Sequence, residues 1–190
     1  PVIVNDTAII AYGRNDRDLP KLHGIKLSGP GKGVRFDLDD TGMEVLTGWV
    51  DAADDVFLVR DLNDNAFIDS GAELFGSATR LKSGLRALNG FEALKDLDSN
   101  ADGIFSNGDE AWSEIQLWRD LNFNGDTDAD ELYSLDSAGV VSIDLNYVTK
   151  EDVDRYGNST KQRSTFLLRV NGQLRQHVVI DVWFNTLIPH

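Results

Sequence analysis

Residues 120–131 read DLNFNGDTDADE, and this stretch decides what the sequence predicts for the fold. A calcium loop of the EF-hand kind needs side-chain oxygens at positions 1, 3 and 5, a glycine at position 6, a backbone carbonyl at position 7 and a carboxylate at position 12. Every one of these positions is filled, and position 9 carries a further carboxylate. The residues predicted to bind calcium are Asp120, Asn122, Asn124, Asp126, Asp128 and Glu131.

A second loop with the same spacing begins at Asp98, 22 residues before the first. Its position 12 is an Asp, whose carboxylate reaches less far than that of a Glu, so we expect weaker calcium binding here. The predicted ligands are Asp98, Asn100, Asp102, the Ile104 carbonyl and Asp109, with Gly103 at position 6.

Segments with helical spacing of apolar residues flank both loops. Residues 88–97 show this spacing before the earlier loop, and residues 109–119 show it between the two loops. The order helix, loop, helix, loop, helix predicts a paired EF-hand-like unit in which each loop braces the other.

Two further stretches match the calcium loop incompletely. In the first, Ala66 replaces the glycine and the terminal acid falls at position 13; its candidate ligands are Asp61, Asn63, Asn65, the Phe67 carbonyl, Asp69 and Glu73. The second has only Asp37, Asp39 and Thr41 before Gly42, and such acidic turns also occur without metal. The sequence therefore predicts two complete calcium sites and up to four ions.

The segments outside the loops resemble strands. Short branched apolar runs occur at 2–4 and 8–12, residues 141–145 alternate, and Asn171-Gly172 separates two long strand-like runs as a hairpin turn. The predicted class is α+β, with the paired helical unit between N-terminal strands and a C-terminal β-hairpin. We expect one calcium-organised module over residues 1–190: strands and loop at 1–60, the helical calcium core at 61–136, and strands at 137–190.

Charge supports cation binding and excludes other partners. The 190 residues contain 32 acidic and 18 basic side chains, a net charge of −14. Residues 96–136 alone hold twelve acids and one base, Arg119, so a folded segment of this kind repels itself unless cations neutralise it. An acidic chain lacks the basic footprint that nucleic acids require. No apolar run is long enough to span a membrane, and the absence of Cys excludes thiolate metal sites.

Several short strings resemble one known family. They are TGWV at 47–50, GAELFG at 71–76 and NGFEAL at 89–94, and the similarity extends over roughly residues 34–146. In this order they resemble the self-processing module of large secreted RTX proteins of the Frp type.

The resemblance implies a secreted or cell-surface protein with a single-turnover autoproteolytic activity. In that family, calcium binding breaks the Asp–Pro bond that precedes the module, and the freed aspartyl group then joins a lysine of a neighbouring protein. Pro1 is then the leaving residue of that bond and the one catalytic residue that the resemblance assigns. Residues 5–10 read NDTAII and depart from the family, which usually continues into another acidic loop there.

Two alternatives to self-processing stay open from the sequence. A non-catalytic, calcium-stabilised spacer in a large adhesin needs the same calcium loops. A docking module of the dockerin kind also uses loops that end in Asp, but it lacks the long flanking strands found here.

Overall fold

The computed structural model describes the backbone of residues 6–11 and all of residues 25–187. This part of the chain contains twelve strands, one α-helix and two short 3-10 helices at Pro30–Lys32 and Trp112–Glu114. The strands are β1 (Asp6–Ala11), β2 (Val34–Phe36), β3 (Val45–Thr47), β4 (Asp55–Val59), β5 (Ile104–Ser106), β6 (Gln116–Trp118), β7 (Leu132–Ser134), β8 (Val140–Asp144), β9 (Val148–Val153), β10 (Ser159–Val170), β11 (Gln173–Trp183) and β12 (Thr186–Leu187). The helix α1 spans Gly90–Lys95.

Most strands belong to one nine-stranded sheet. Its order is β5-β8-β10-β11-β1-β4-β6-β7, with β9 paired to β10, and its ladders are antiparallel. A second sheet has the order β12-β3-β2. The strand β1 therefore lies inside the large sheet, between β11 and β4.

The prediction of an α+β fold built on a paired helix–loop–helix unit is wrong. The described residues form a mostly β structure with a single α-helix. Residues 109–119, predicted to be helical, form the 3-10 turn at Trp112–Glu114 and then β6, which pairs with both β4 and β7. The chain becomes extended at Ile115, where φ is −92° and ψ is 136°.

Tertiary pairing explains why a strand replaces the predicted helix. Leu117 and Trp118 are adjacent in β6 and face opposite sides of the sheet, because successive side chains of a strand alternate. Leu117 packs into one apolar cluster and Trp118 into the other. A strand between two cores can bury neighbouring apolar residues on both faces, so a helical spacing of apolar residues does not require a helix.

The other predicted elements match the structure better. Residues 88–97 contain α1, whose N-cap residue Asn89 accepts a hydrogen bond from the Glu92 amide at 3.0 Å. Asn171 and Gly172 both have positive φ, 50° and 79°, and join β10 to β11 as the predicted hairpin. The predicted strand at 8–12 overlaps β1, residues 141–145 overlap β8, and residues 2–4 lie outside the described part.

Two buried clusters lie on opposite faces of the large sheet. One packs beneath α1 and includes Leu58, Phe91 and Phe166. The other is aromatic and is centred on Trp49, whose ring centroid lies 4.6 Å from that of Phe57 and 5.7 Å from that of Trp118. Trp118 is the last residue of β6, so the aromatic cluster adjoins the loop that begins at residue 120.

His177 gives the fold a predicted acid sensitivity. Its ring lies 5.4 Å from Phe166, and its buried Nε2 has no hydrogen-bond partner among the described residues. Burial, and secondarily the charge of Arg175, lower the pKa of His177 below its usual 6.5. The native state therefore favours the neutral ring. The stability of the fold begins to fall as pH drops through the unfolded-state pKa and keeps falling down to the lowered folded-state pKa.

We expect calcium-saturated protein to lose stability through this residue as pH falls below about 6.5, the ordinary pKa of a histidine in the unfolded chain. Urea unfolding of the parent chain and of His177→Phe measures the effect, because Phe fills the site without titrating. The same pH dependence in both chains would contradict the assignment.

Candidate metal centre

The loop at 120–131 closes a hairpin between two strands. It leaves β6, returns into β7, and is closed at its base where the Arg119 amide donates to the Glu131 carbonyl at 2.9 Å. The sheet therefore holds the first and last residues of the loop side by side.

Amides of the loop itself hold the two end carboxylates. Asp120 Oδ2 accepts from the Gly125 amide at 2.9 Å. Glu131 accepts from the Leu121 amide through Oε1 at 2.8 Å and from the Asp128 amide through Oε2 at 3.1 Å. The chain bends at positions 4 and 6 of the loop, where Phe123 and Gly125 have φ of 59° and 79°.

The loop at 61–73 repeats this arrangement. Asp61 Oδ2 accepts from the Ala66 amide at 2.8 Å, and Glu73 accepts from the amides of Leu62 at 3.0 Å and Asp69 at 2.9 Å. Position 6 again has a positive φ, 65° at Ala66. Glu73, at position 13, thus makes the same two contacts that Glu131 makes at position 12, and the extra residue does not displace the carboxylate.

The loop at 98–109 has the same internal bonds on a different support. Asp98 Oδ2 accepts from the Gly103 amide at 2.9 Å. The two oxygens of Asp109 accept from the amides of Ser99 at 2.9 Å and Ser106 at 2.8 Å. This loop follows α1 instead of a strand, and its residues 104–106 form β5, which pairs with β8.

Positions 3 and 5 are also equivalent in the three loops. In each loop the position-3 side chain accepts from the position-5 amide, and the position-5 side chain accepts from the position-7 amide. The position-3 side chains Asn63, Asn100 and Asn122 accept at 3.0, 2.9 and 3.1 Å. The position-5 side chains Asn65, Asp102 and Asn124 each accept at 2.8 Å, from the amides of Phe67, Ile104 and Asp126. The position-9 acids Asp69 and Asp128 accept from Asn65 and Asn124 side chains at 3.0 and 3.1 Å.

The turn at 37–42 shares only the first half of the loop. Asp37 accepts from the amides of Thr41 at 3.0 Å and Gly42 at 2.6 Å, and Asp40 and Gly42 have φ of 53° and 77°. The Asp39 carbonyl accepts from the Arg86 guanidinium at 2.8 Å. A cationic side chain therefore already contacts this turn, and the sequence supplies no acid at position 12.

The donor chemistry of the loops at 61–73, 98–109 and 120–131 fits a hard divalent cation, because calcium prefers carboxylate, amide and carbonyl oxygens. Within residues 6–11 and 25–187, no three His, Asp or Glu side chains lie close enough together to hold a metal ion. A calcium site in these loops would therefore also need the Asn and backbone carbonyl oxygens. Asp98 Oδ1 is buried and has no hydrogen-bond partner among the described residues. A buried carboxylate oxygen in that state is costly unless a cation or a donor satisfies it.

The structure pairs different loops from those predicted. The Ile68 amide donates to Thr127 Oγ1 at 2.9 Å, which joins the loops at 61–73 and 120–131. The loop at 98–109 is instead fastened to the end of β8, where the Leu145 amide donates to the Gly103 carbonyl at 3.0 Å. The predicted bracing of 98–109 against 120–131 is therefore wrong.

The end carboxylates of loop 120–131 are buried against the aromatic cluster. Asp120 and Glu131 are each only 2% exposed. Asp120 Oδ2 accepts from Trp49 Nε1 at 2.7 Å, and Glu131 Oε2 accepts from Trp118 Nε1 at 3.3 Å. Burial raises the pKa of Asp120, and burial also raises the pKa of Glu73 in the neighbouring loop. A bound cation would favour the charged forms that burial disfavours.

Sequence reasoning missed Trp49, Trp118 and Thr127 as parts of these sites. One signal was available for the loops: the string RDLN occurs at both 60–63 and 119–122. This repeat marks the two strand-flanked loops as equivalent. Pro1, the predicted leaving residue, lies outside the described part of the chain.

No helix in residues 6–11 and 25–187 has the length and apolar composition that crossing a membrane requires.

Comparison with known proteins confirms the resemblance to an Frp-type module. Iron-regulated protein FrpA from Neisseria meningitidis serogroup C is 44% identical over 137 residues, which cover 70% of this chain and 12% of FrpA. The matched region thus spans about an eighth of that relative's length. The sequence profile of the family described as the SPM domain matches residues 18–185. Since this match covers most of its 190 residues, the chain belongs to the SPM domain family.

Proposed function

We propose that this chain is a calcium-binding self-processing module that acts on an Asp–Pro bond formed with Pro1. The observation that carries the calcium part is the hydrogen-bond pattern that three loops share. In each loop, an Asp at position 1 and an acid at position 12 or 13 are held by the loop's own amides, with amide or carboxylate oxygens between them. Asp98, Asp61 and Asp120 are the position-1 acids.

The proposed reaction uses the aspartate before Pro1 as its own nucleophile. The side-chain carboxylate attacks the main-chain carbonyl carbon of the same residue and forms a five-membered cyclic anhydride. The bond from that carbon to the Pro1 nitrogen breaks, and the nitrogen takes up a proton and leaves as a free imino terminus. A lysine amine then opens the anhydride to give an isopeptide bond, or water opens it to give simple cleavage.

Proline suits the role of leaving group because its nitrogen becomes basic once the tertiary amide is twisted out of plane. Planarity resists that twist with a rotation barrier of about 18–20 kcal/mol. The fold must therefore hold the bond off plane or protonate its nitrogen. Calcium acts in this proposal as the organiser of that geometry and is not a Lewis acid on the bond.

The sheet connects one calcium loop to β1, the strand that follows the proposed cleavage site in the sequence. β1 begins at Asp6, five residues after Pro1, and pairs with β4. The loop at 61–73 starts two residues after β4 ends. Ordering of this loop would therefore fix the end of the strand that holds β1 in register.

A chain that carries Asp immediately before Pro1 tests the proposal. Incubated with calcium, it should yield a fragment that begins at Pro1, whereas a chelator should leave the chain intact. Intact-mass spectrometry measures the fragment that begins at Pro1 and any product in which the freed aspartyl segment is joined to a lysine. A matched chain with Asn in place of that Asp should stay uncut, because Asn lacks the carboxylate nucleophile.

The runner-up function is a non-catalytic, calcium-stabilised spacer. The long β10–β11 hairpin inside a nine-stranded sheet would suit a structural module of a larger protein. An uncut Asp–Pro chain with calcium fully bound would favour this function. Either function is proposed for a secreted or cell-surface protein, where calcium is plentiful.

A further inference from the structure

We propose that the loops at 61–73 and 120–131 bind calcium as a coupled pair, with the Thr127 hydroxyl as the positioning contact between them. The inference rests on the proposed calcium binding and adds which loops influence each other and through which atoms.

The contact joins equivalent positions of the two loops. Ile68 is position 8 of its loop and Thr127 is position 8 of the other, and the Ile68 amide donates to Thr127 Oγ1 at 2.9 Å. Ile68 is 2% exposed and Thr127 is 8% exposed, so little water competes for this bond. Each residue lies between the position-7 carbonyl and the position-9 acid of its own loop. A shift at position 8 therefore moves two predicted ligands together.

The supports of the two loops are also joined. The loops follow β4 and β6, which pair with each other in register from Phe57–Trp118 to Val59–Gln116. Each loop closes on its own supporting strand, through the Arg60 amide to the Glu73 carbonyl at 2.8 Å in one and the equivalent Arg119 bond in the other. This ladder is antiparallel, so the loops leave from opposite ends of the strand pair and are linked through its hydrogen bonds.

Acidic residues of both loops line one cavity of about 370 Å³ beside this contact. The charged residues that line it are Asp69 of one loop, Asp126 and Asp128 of the other, and also Asp37, Glu44 and Arg35. Arg35 forms an ion pair with Glu44 at 3.5 Å, so acids still outnumber bases around the cavity. Without bound metal ions, the remaining carboxylates repel across the cavity and oppose the approach of the loops. A cation in one loop removes part of that repulsion and orders the shared position-8 contact. The other loop then loses less conformational entropy when it binds its own cation.

Coupling of this kind must be reciprocal, which makes it measurable from either loop. Three backbone amides give a separate signal for each loop: Ala66, Gly103 and Gly125 donate to the position-1 carboxylates at 2.8, 2.9 and 2.9 Å. A calcium titration of the 190-residue chain followed by two-dimensional amide NMR reads the occupancy of each loop separately.

Asp61→Ala should disable the loop at 61–73 and lower the calcium affinity of the loop at 120–131, which the Gly125 amide reports. The decrease should be at least about fivefold larger than the decrease that Asp98→Ala causes, and fivefold is the lower end of typical coupling between sites. The Asp98 variant is the matched control, since it removes the same ligand from the loop fastened to β8. Asp61→Asn gives the same comparison with less change in side-chain volume.

Thr127→Val should reduce the excess effect of Asp61→Ala, whereas Thr127→Ser, which keeps the hydroxyl, should retain it in full. Circular dichroism in saturating calcium verifies that each variant is folded. Equal effects of Asp61→Ala and Asp98→Ala at Gly125 would overturn the coupling and leave calcium binding intact. An excess that Thr127→Val leaves undiminished would overturn the role of the Thr127 hydroxyl. No calcium-dependent change at any of the three amides would overturn the proposed function as well.

Discussion

Chelation of calcium is expected to unfold this chain, at least over residues 88–145. Residues 96–136 carry twelve acids against one base. Asp120 and Glu131 are buried, and backbone amides and tryptophan N–H groups donate hydrogen bonds to their carboxylates. Each bound ion would offset two of the net −14 charges of the chain. Binding free energy is then folding free energy.

The expected size of the effect follows from mass action. A site held at 100 times its dissociation constant adds about 2.7 kcal/mol to stability, so three loops would add about 8 kcal/mol. That equals most of the total stability of an ordinary domain, about 5–15 kcal/mol. For a chain of this length, the thermal midpoint should fall by about 15–30 °C, or the cooperative transition should disappear.

Circular dichroism during heating, with and without chelator, measures the change. Chelator added together with excess calcium is the control for direct effects of the chelator on the protein. An unchanged far-ultraviolet spectrum and an unchanged thermal midpoint would show that the loops are organised without metal.

Substitution of the position-1 acids should separate complete calcium loops from the incomplete turn. We expect Asp120→Ala or Asp98→Ala to remove one site from the calorimetric stoichiometry, or to weaken it by more than tenfold, about 1.4 kcal/mol. Asp37→Ala should change calcium binding by less than about twofold, because its turn lacks a terminal acid and already contacts Arg86.

A matched variant separates lost charge from lost structure. Asp120→Asn keeps an oxygen acceptor for Trp49 and Gly125, whose donors lie 2.7 and 2.9 Å from Oδ2 in the parent chain. It removes the charge and also the acceptor at Oδ1, to which the Asn124 amide donates at 3.2 Å. It should weaken calcium binding nearly as much as Asp120→Ala while perturbing the calcium-free chain less. If Asp37→Ala weakened binding as much as Asp120→Ala, the turn at 37–42 would also be a working site.

Several features were predictable from sequence because they depend on residues that are close together along the chain. A calcium-loop pattern depends on oxygen donors spaced within about a dozen residues, and that spacing is visible in the chain itself. The left-handed turns at Gly103 and Gly125 follow from the same pattern, and the Asn171-Gly172 hairpin follows from backbone conformations that these residues tolerate.

Glu73 was only partly predictable from the sequence. Its position 13 departs from the pattern, and only the folded loop shows that it makes the contacts of a position-12 acid with the amides of Leu62 and Asp69. The extra residue is absorbed within the loop while the Arg60 amide still closes its base at the Glu73 carbonyl.

The sequence by itself determined where the oxygen-rich loops begin and end, where the hairpin between β10 and β11 turns, and to which family the chain is similar. Only the tertiary structure decided that 116–118 is a strand, that loops 61–73 and 120–131 are neighbours, and that Trp49 contacts Asp120 across 71 residues. The physical reason is the separation in sequence between the residues that interact. Turn geometry depends on residues a few positions apart, whereas strand pairing and burial depend on partners far along the chain. Apolar spacing alone does not specify those partners.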